Sequence, residues 1–408
     1  MRVHEIEAVG KSLPVNLEAQ HPRAIRDACL LRADVDRRID RRDLAPRKDL
    51  LKAGGFLVRD PWRHGAEDED QDPGSGPCVA HKTPVVRCSA RTGVSGDNAD
   101  MPKLRNEKIL ITGPAGQIAF PLAARLAQDN EVWGIARFGD TSTRERVEKA
   151  GIQTRVIDLA EPRWGDLPDD FSYVLHLAAA IIPGNDYDKA LRINAEGTGK
   201  VMERHRNAKA CLMMSTCGVY LSPEDGDRAL LEGDPLGGSH QPYAPTYCVS
   251  KIAQESVARF AAESFGLPTT IARMNAAYGD NGGYPAMLAD MIVAGQPIAM
   301  FPGHSLCSPI HEDDIFAHTP GLLAAAATPA TITNWGGDVP VSVRELSEYI
   351  GALLGKDVKC SESGDGIHQY NLDPTRRTAL AGPCEVDWKD GVRRMLIARH
   401  PELPIHDA

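Results

Sequence analysis

Lys108-Ile109-Leu110-Ile111-Thr112-Gly113-Pro114-Ala115-Gly116-Gln117-Ile118-Ala119 reads as a short buried strand, a glycine turn and the start of a helix. Leu122, Leu126 and Ala127 continue the helix along one face. A strand that turns on glycines into a helix presents unpaired backbone N–H groups and the positive end of the helix dipole. That combination seats a diphosphate. Gly113 lets the chain turn, Gly116 lets backbone approach a ligand, and the small Ala119 lets helix and strand pack closely. The candidate dinucleotide contacts here are Gly113, Gly116, Gln117 and Ile118. The motif is common by itself, and its surroundings decide the case.

With 408 residues, 42% of them apolar and 25% charged, the chain has the composition of a globular protein with a large core. A net charge of −10 argues against wrapping nucleic acid. No apolar run reaches the length of a membrane span, and the start resembles neither a secretory nor a transit signal. Nine scattered cysteines without a Cys-x-x-Cys pair point to a reducing cytoplasm and to no metal site.

Residues 1–100 differ from the rest. One amphipathic stretch, with Ile25, Ala28, Leu31, Val35 and Ile39 at helical spacing, lies among charge-, Pro- and Gly-rich pieces. The run Glu67-Asp68-Glu69-Asp70-Gln71-Asp72-Pro73 reads as a solvated linker. This segment is expected to be a disordered extension or a mis-assigned start, with Met101 as a natural beginning. From residue 108 onward strands and helices alternate. Strands are expected at 108–112, 131–136, 153–157, 173–177, 211–215 and 269–273. Helices are expected from about residue 117, over 141–150, around 188–206 and over 246–264. Repeated βα units imply an α/β fold, a doubly wound parallel Rossmann sheet. The expected division is a dinucleotide-binding domain over 101–275 and a small C-terminal substrate lobe over 276–408, interleaved with the last Rossmann elements.

Arg137 follows the second strand, where a carboxylate would grip the ribose of NAD. Its planar fork suits a 2′-phosphate and favours NADP, with NAD the other possibility. Asp158-Leu159 follows the third strand, where an acidic loop could meet the adenine amino group. His176-Leu177-Ala178-Ala179 ends the fourth strand in small residues that allow a cofactor close. His176 reads as a hydrogen-bonded core histidine, and Asn194 as a bridge between backbone groups. Tyr247-Cys248-Val249-Ser250-Lys251 carries the sharpest chemical signal. Spacing of four places Tyr247 and Lys251 on one helix face. A phenol with an ordinary pKa of about 10 is made a better acid–base group by a nearby ammonium. Thr216, at the tip of the fifth strand, can offer a hydroxyl to the same substrate oxygen.

Thr112-Gly113-x-x-Gly116-x-x-Ala119, Asp158-Leu159, His176-Leu177-Ala178-Ala179, Asn194-x-x-Gly197-Thr198, Ser215-Thr216-x-x-Val219-Tyr220, Tyr247-x-x-x-Lys251 and Arg273-x-x-Ala276-x-Tyr278-Gly279 follow one another over roughly residues 108–400. In order and spacing this series resembles the extended short-chain dehydrogenase/reductases, which include NAD-dependent sugar epimerases and dehydratases. The resemblance implies that Tyr247 is the acid–base residue and that Thr216 orients the substrate. It implies that Lys251 binds the nicotinamide ribose and tunes Tyr247. Members often pair through two helices, which leaves room for a homodimer. Ala119 replaces the third glycine conservatively. Two departures carry more weight. Nucleotide-sugar members hold the substrate diphosphate with an arginine, and Cys307 of Cys307-Ser308-Pro309-Ile310-His311-Glu312-Asp313-Asp314 stands at that position. A second arginine is absent from Ser361-Glu362-Ser363-Gly364-Asp365. The leading reading is an NADP-dependent oxidoreductase acting on a carbonyl, alcohol or sugar that is not a nucleotide diphosphate sugar. An NAD-dependent nucleotide-sugar epimerase or dehydratase is the alternative, and a non-catalytic dinucleotide sensor the third.

Overall fold

The computed structural model describes residues 104–238 and 244–408. The expectation for residues 1–100 lies outside the described residues. Strands β1 (Lys108–Thr112), β2 (Glu131–Ala136), β3 (Gln153–Val156), β4 (Tyr173–His176), β5 (Ala210–Thr216) and β6 (Thr269–Met274) fall where the apolar runs place them. With the strand Thr331–Trp335 at the β6 edge they form one seven-stranded sheet, in the order Thr331–Trp335, β6, β5, β4, β1, β2, β3. Every neighbouring pair in it is parallel. The order reverses between β1 and β4, so the crevice beyond their carboxyl ends is the expected ligand seat.

Both faces of this sheet are covered, which is why the central strands β1, β2, β4 and β5 carry apolar runs rather than an alternation. Ile109 and Ile111 pack into one core with Leu122, Leu126, Leu175 and Leu212. Leu110, between them, points the other way into a core with Val174, Met202, Ala258 and Ile271. A separate cluster built on Ile292, Met300, Leu346, Ile350, Trp388 and Met395 holds residues beyond 275 together. Tyr284 and Met291 pack against that cluster.

Two helices differ from expectation. The first begins at Ala119 rather than at Gln117, because Gly113–Ile118 are spent on the turn. The helix expected around 188–206 is interrupted. Helical turns Tyr187–Leu191 and Gly197–Arg204 flank a π-helical segment, Arg192–Glu196. The wider turn buries Asn194, whose side chain accepts from Ala180 N at 2.7 Å and donates to Ala180 O and Ser250 Oγ, each at 2.9 Å. Asn194 thus bridges backbone groups, as read from the sequence.

The long helix Tyr247–Phe265 is stitched to β6 by a buried ion pair. Arg273 Nη2 lies 2.8 Å from Glu255 Oε2, with both side chains only 3% exposed. Ser215 Oγ donates to Glu255 Oε1 at 2.6 Å, and the guanidinium lies over the Tyr220 ring. A buried charge is tolerable only while it is met. Glu255→Ala is therefore expected to cost about 3–5 kcal/mol in urea unfolding. A loss below about 1 kcal/mol would mean that Arg273 finds other acceptors.

Candidate active site

The β1–β4 crevice opens as a cleft of about 680 Å³. Gly113, Gly116, Gln117, Ile118, Arg137, Asp158, Leu159 and Ala178 all line it, together with Phe138, Ile193 and Met214. Eight of the nine residues expected to contact a dinucleotide therefore share one cavity; Lys251 stands behind it.

Gly113 occupies the left-handed region at φ +67°, and a Cβ there would lie 3.1 Å from Ala178 Cα. A side chain would be strained and would also push β4's loop away from the turn. Gly197 has a comparable function, since a Cβ there would come within 3.0 Å of Leu159. The bare turn at Gly113 and Gly116 leaves a cradle that suits a diphosphate at the head of the first helix. At the outer edge Arg137 is exposed and, among the described residues, forms no ion pair or hydrogen bond. Asp158 Oδ1 accepts from Ala160 N at 2.9 Å and shapes the neighbouring loop.

A buried chain of side chains runs beneath the crevice. Thr112 and His176 are register partners at the tips of β1 and β4, and Thr112 Oγ1 lies 2.9 Å from His176 Nδ1. His176 Nε2 lies 2.7 Å from Thr198 Oγ1. Thr198 gives its one hydroxyl proton to Asn194 O at 2.6 Å, so donor counting assigns the histidine proton to Nε2. Thr112 Oγ1 accepts from Ala178 N at 3.0 Å and donates to Nδ1. Burial, reinforced by Lys251, pushes His176 down to about 3 and keeps it neutral. It is the hydrogen-bonded core histidine the sequence suggests.

Lys251 is 1% exposed. Its ammonium donates to Met214 O at 2.8 Å and to Gln254 Oε1. Because Met214 is a wall of the cleft, Lys251 stands at the cleft's inner end. Burial lowers its pKa to about 7, against the opposing influence of Glu255. Tyr247, half-buried, begins the same helix one turn earlier, with its backbone carbonyl accepting from Ser250 Oγ at 2.7 Å. Thr216 ends β5, and its Oγ1 accepts from Gly218 N at 3.2 Å. The long helix packs on β5 and on residues 217–219 beyond it. The β5 tip and the Tyr247–Lys251 face are thereby neighbours.

A family model for the NAD dependent epimerase/dehydratase family matches residues 109–315. The chain belongs to that family. This epimerase/dehydratase-family chain is an NAD(P)-dependent enzyme of the extended short-chain dehydrogenase/reductase type. No curated protein matches it. Among solved structures it is similar to a UDP-glucuronic acid 4-epimerase from Bacillus cereus in complex with NAD and a UDP-sugar. That likeness has 20% identity and a TM-score of 0.63, and covers 72% of this chain and 99% of that one. It is also similar to a UDP-N-acetylglucosamine 4-epimerase from Methanobrevibacter ruminantium, with 18% identity, a TM-score of 0.62 and coverage of 73% and 99%. A third is the enzyme WbmG of Bordetella bronchiseptica in complex with NAD and UDP, with 20% identity, a TM-score of 0.60 and coverage of 72% and 94%. At these identities the likeness is one of fold.

Against that family background, Cys307 is fully buried, and its thiol donates to Val341 O at 3.4 Å. Burial pushes it up to about 12. Arg377, downstream of Asp373-Pro374, is also fully buried and paired with Asp338. Asp314, His318 and Cys384 bring ligand-type atoms within 4.8 Å of one another. Backbone N–H groups of Glu385 and Val386 meet Asp314, and the Arg377 guanidinium adjoins His318 Nε2, while His318 Nδ1 has no partner among the described residues. Sequence reasoning did not single out Gln254 or Met214, whose contacts with Lys251 carry no motif. No helix of the described residues is long and apolar enough to cross a membrane.

Unfolded histidine takes up a proton near 6.5, whereas folded His176 resists until about 3. Its contribution to stability is complete above pH 6.5 and is lost as pH falls through that interval, by up to about 1.4 kcal/mol per pH unit. His205 and His318, both pushed down to about 4 by burial, add to the same slope. Denaturant unfolding of His176→Gln between about pH 6 and pH 4 is expected to show an acid loss shallower by one proton. Equal slopes would mean that His176 is protonated within the fold.

Proposed function

We propose that this chain moves hydride between a nicotinamide dinucleotide and a carbonyl or alcohol carbon, with Tyr247 as acid–base, Lys251 as its electrostatic partner and Thr216 as the substrate-orienting hydroxyl. The observation that carries this reading is the Lys251 ammonium resting on Met214, a wall of the glycine-lined cleft. Gly113, Gly116, Gln117 and Ile118 would cradle the diphosphate, Asp158 and Leu159 would flank the adenine, and Ala178 would admit the ribose. When bound, the nicotinamide supplies the hydride chemistry. The protein's part is to place and move the proton. The ammonium favours the phenolate form of Tyr247, so the phenol can release its proton to a carbonyl oxygen, or take one from an alcohol, near neutral pH. Thr216 can donate a hydrogen bond to that same oxygen as charge develops there.

NADP is the preferred dinucleotide in this reading, on the strength of Arg137 at the open edge of the cleft. The substrate is a carbonyl, alcohol or sugar without a nucleoside diphosphate. A thiol buried at position 307 and the cation-free stretch 361–365 leave little to neutralise a diphosphate, and Arg377 is occupied by Asp338. The alternative, an epimerase or dehydratase that retains NAD, is favoured by membership of the family. Cys211, Cys217, Cys307, Cys360 and Cys384 are thiols, in keeping with a cytoplasmic setting. Val249 and Phe260, eleven residues apart on one helix face and 44% and 67% exposed, offer a surface for pairing into a homodimer.

Purified protein is expected to carry no stoichiometric nucleotide and to bind NADPH at least about tenfold more tightly than NADH, a preference that Arg137→Ala removes. Retained NAD would favour the epimerase or dehydratase. In a carbonyl screen with the bound dinucleotide, Tyr247→Phe should lower turnover by about a hundredfold to ten-thousandfold without weakening dinucleotide binding. Unchanged turnover would defeat the acid–base assignment.

A further inference from the structure

Gln254 is fully buried and lies on the long helix within one turn of Lys251. Its amide reaches both ways. Oε1 accepts from the Lys251 ammonium, and Nε2 donates to Thr198 Oγ1 at 2.8 Å. Thr198 in turn holds His176, and His176 holds Thr112 at the root of the glycine turn. We propose that Gln254 is the positioning residue for Lys251, tying its ammonium through Thr198 to the His176 junction between β1 and β4. The inference rests on the reading of Lys251 as the dinucleotide-binding and tyrosine-tuning lysine.

An ammonium has three donors and a flexible stem. Met214 O and Gln254 Oε1 take two of the donors, which leaves one for a ligand in the cleft or for Tyr247. Without the Gln254 oxygen the head group would keep one backbone acceptor and could swing toward Glu255, one turn further along. A neutral amide holds the ammonium without locking it in an ion pair. It also makes the charged form easier to keep in a buried place, where an unmet ammonium gives up its proton.

Of the other titratable groups around Lys251, Cys248 is buried within one turn on the same helix. Tyr247 and Glu255 lie one turn to either side on its own helix, and Arg273 from β6 holds Glu255. His176, at the tip of β4, is neutral. The thiols of Cys211 on β5 and Cys217 just beyond it are held protonated by burial, both near 12. On the neighbouring helical segments Arg192 and Glu196 are exposed, and Lys200 is bonded to Ala160 O at 2.6 Å.

The test is the pH dependence of NADPH and NADH binding, read by nicotinamide fluorescence from about pH 6 to about pH 9, for the full-length wild type, Gln254→Met and Gln254→Glu. Wild-type affinity is expected to weaken as pH rises through about 7, where Lys251 loses its proton. Gln254→Met fills the space without an oxygen and should move that inflection down by about one pH unit. Gln254→Glu supplies a carboxylate, favours the ammonium and should move it up by a similar amount. Opposite shifts from one position are not the signature of general destabilisation. An inflection that stays put in both variants, or moves the same way in both, would overturn the role of Gln254 while leaving the dinucleotide site intact. A wild type that binds neither dinucleotide would remove the reading of the cleft, and this inference with it.

Discussion

Keeping a lysine ammonium out of water is the constraint on which the rest of this structure turns. A cation with 1% exposure has to be met by oxygen atoms, and Lys251 finds them in a β5 carbonyl and a side-chain amide on its own helix. The Met214 contact requires the long helix to lie against β5 at a fixed depth, while the Gln254 contact is made within the helix itself. The Arg273–Glu255 pair, one turn further along, anchors the helix to β6 at that depth. Small residues at the β4 tip and the bare turn at Gly113 then leave the space in front of Met214 open.

The same region shows how a parallel sheet makes a polar site without weakening its core. Ile109, Leu110 and Ile111 serve the two apolar cores, and the polar work begins at Thr112, where β1 ends. Thr112, His176, Thr198 and Gln254 satisfy one another's donors and acceptors, so a buried row of polar groups carries a low desolvation cost. Residues beyond 275 include an apolar cluster of their own, and Cys307, which stands where the nucleotide-sugar pattern has an arginine, is buried within it. Cys307 faces a strand carbonyl, and Arg377 faces Asp338. Neither is presented to a substrate diphosphate.

Much of this was legible in the residues. Strands β1, β2, β4 and β5 announce themselves because central parallel strands are apolar on both faces. The glycine turn, Arg137, Asp158-Leu159 and Ala178 meet in one cleft because each follows the end of a strand. The Tyr247–Lys251 spacing survives as one face of a helix. What escaped reading lies in contacts between distant residues. Nothing in the local pattern around 188–206 shows that Asn194 will be drawn into Ala180 and Ser250, and that pull is what opens the π-helical turn. Gln254 looks like an ordinary helix residue until Thr198, 56 positions earlier, is folded against it. The strand Thr331–Trp335 joins the sheet only through its pairing with β6.

Dinucleotide titration of Lys251→Met against the wild type tests the central claim most directly, because methionine keeps an unbranched apolar stem and removes only the charge. One dinucleotide per wild-type chain, and an affinity lower by about tenfold or more in the variant at an unchanged melting temperature, is the expected result. Equal affinity in the two proteins would contradict the placing of Lys251 at the inner end of a dinucleotide cleft.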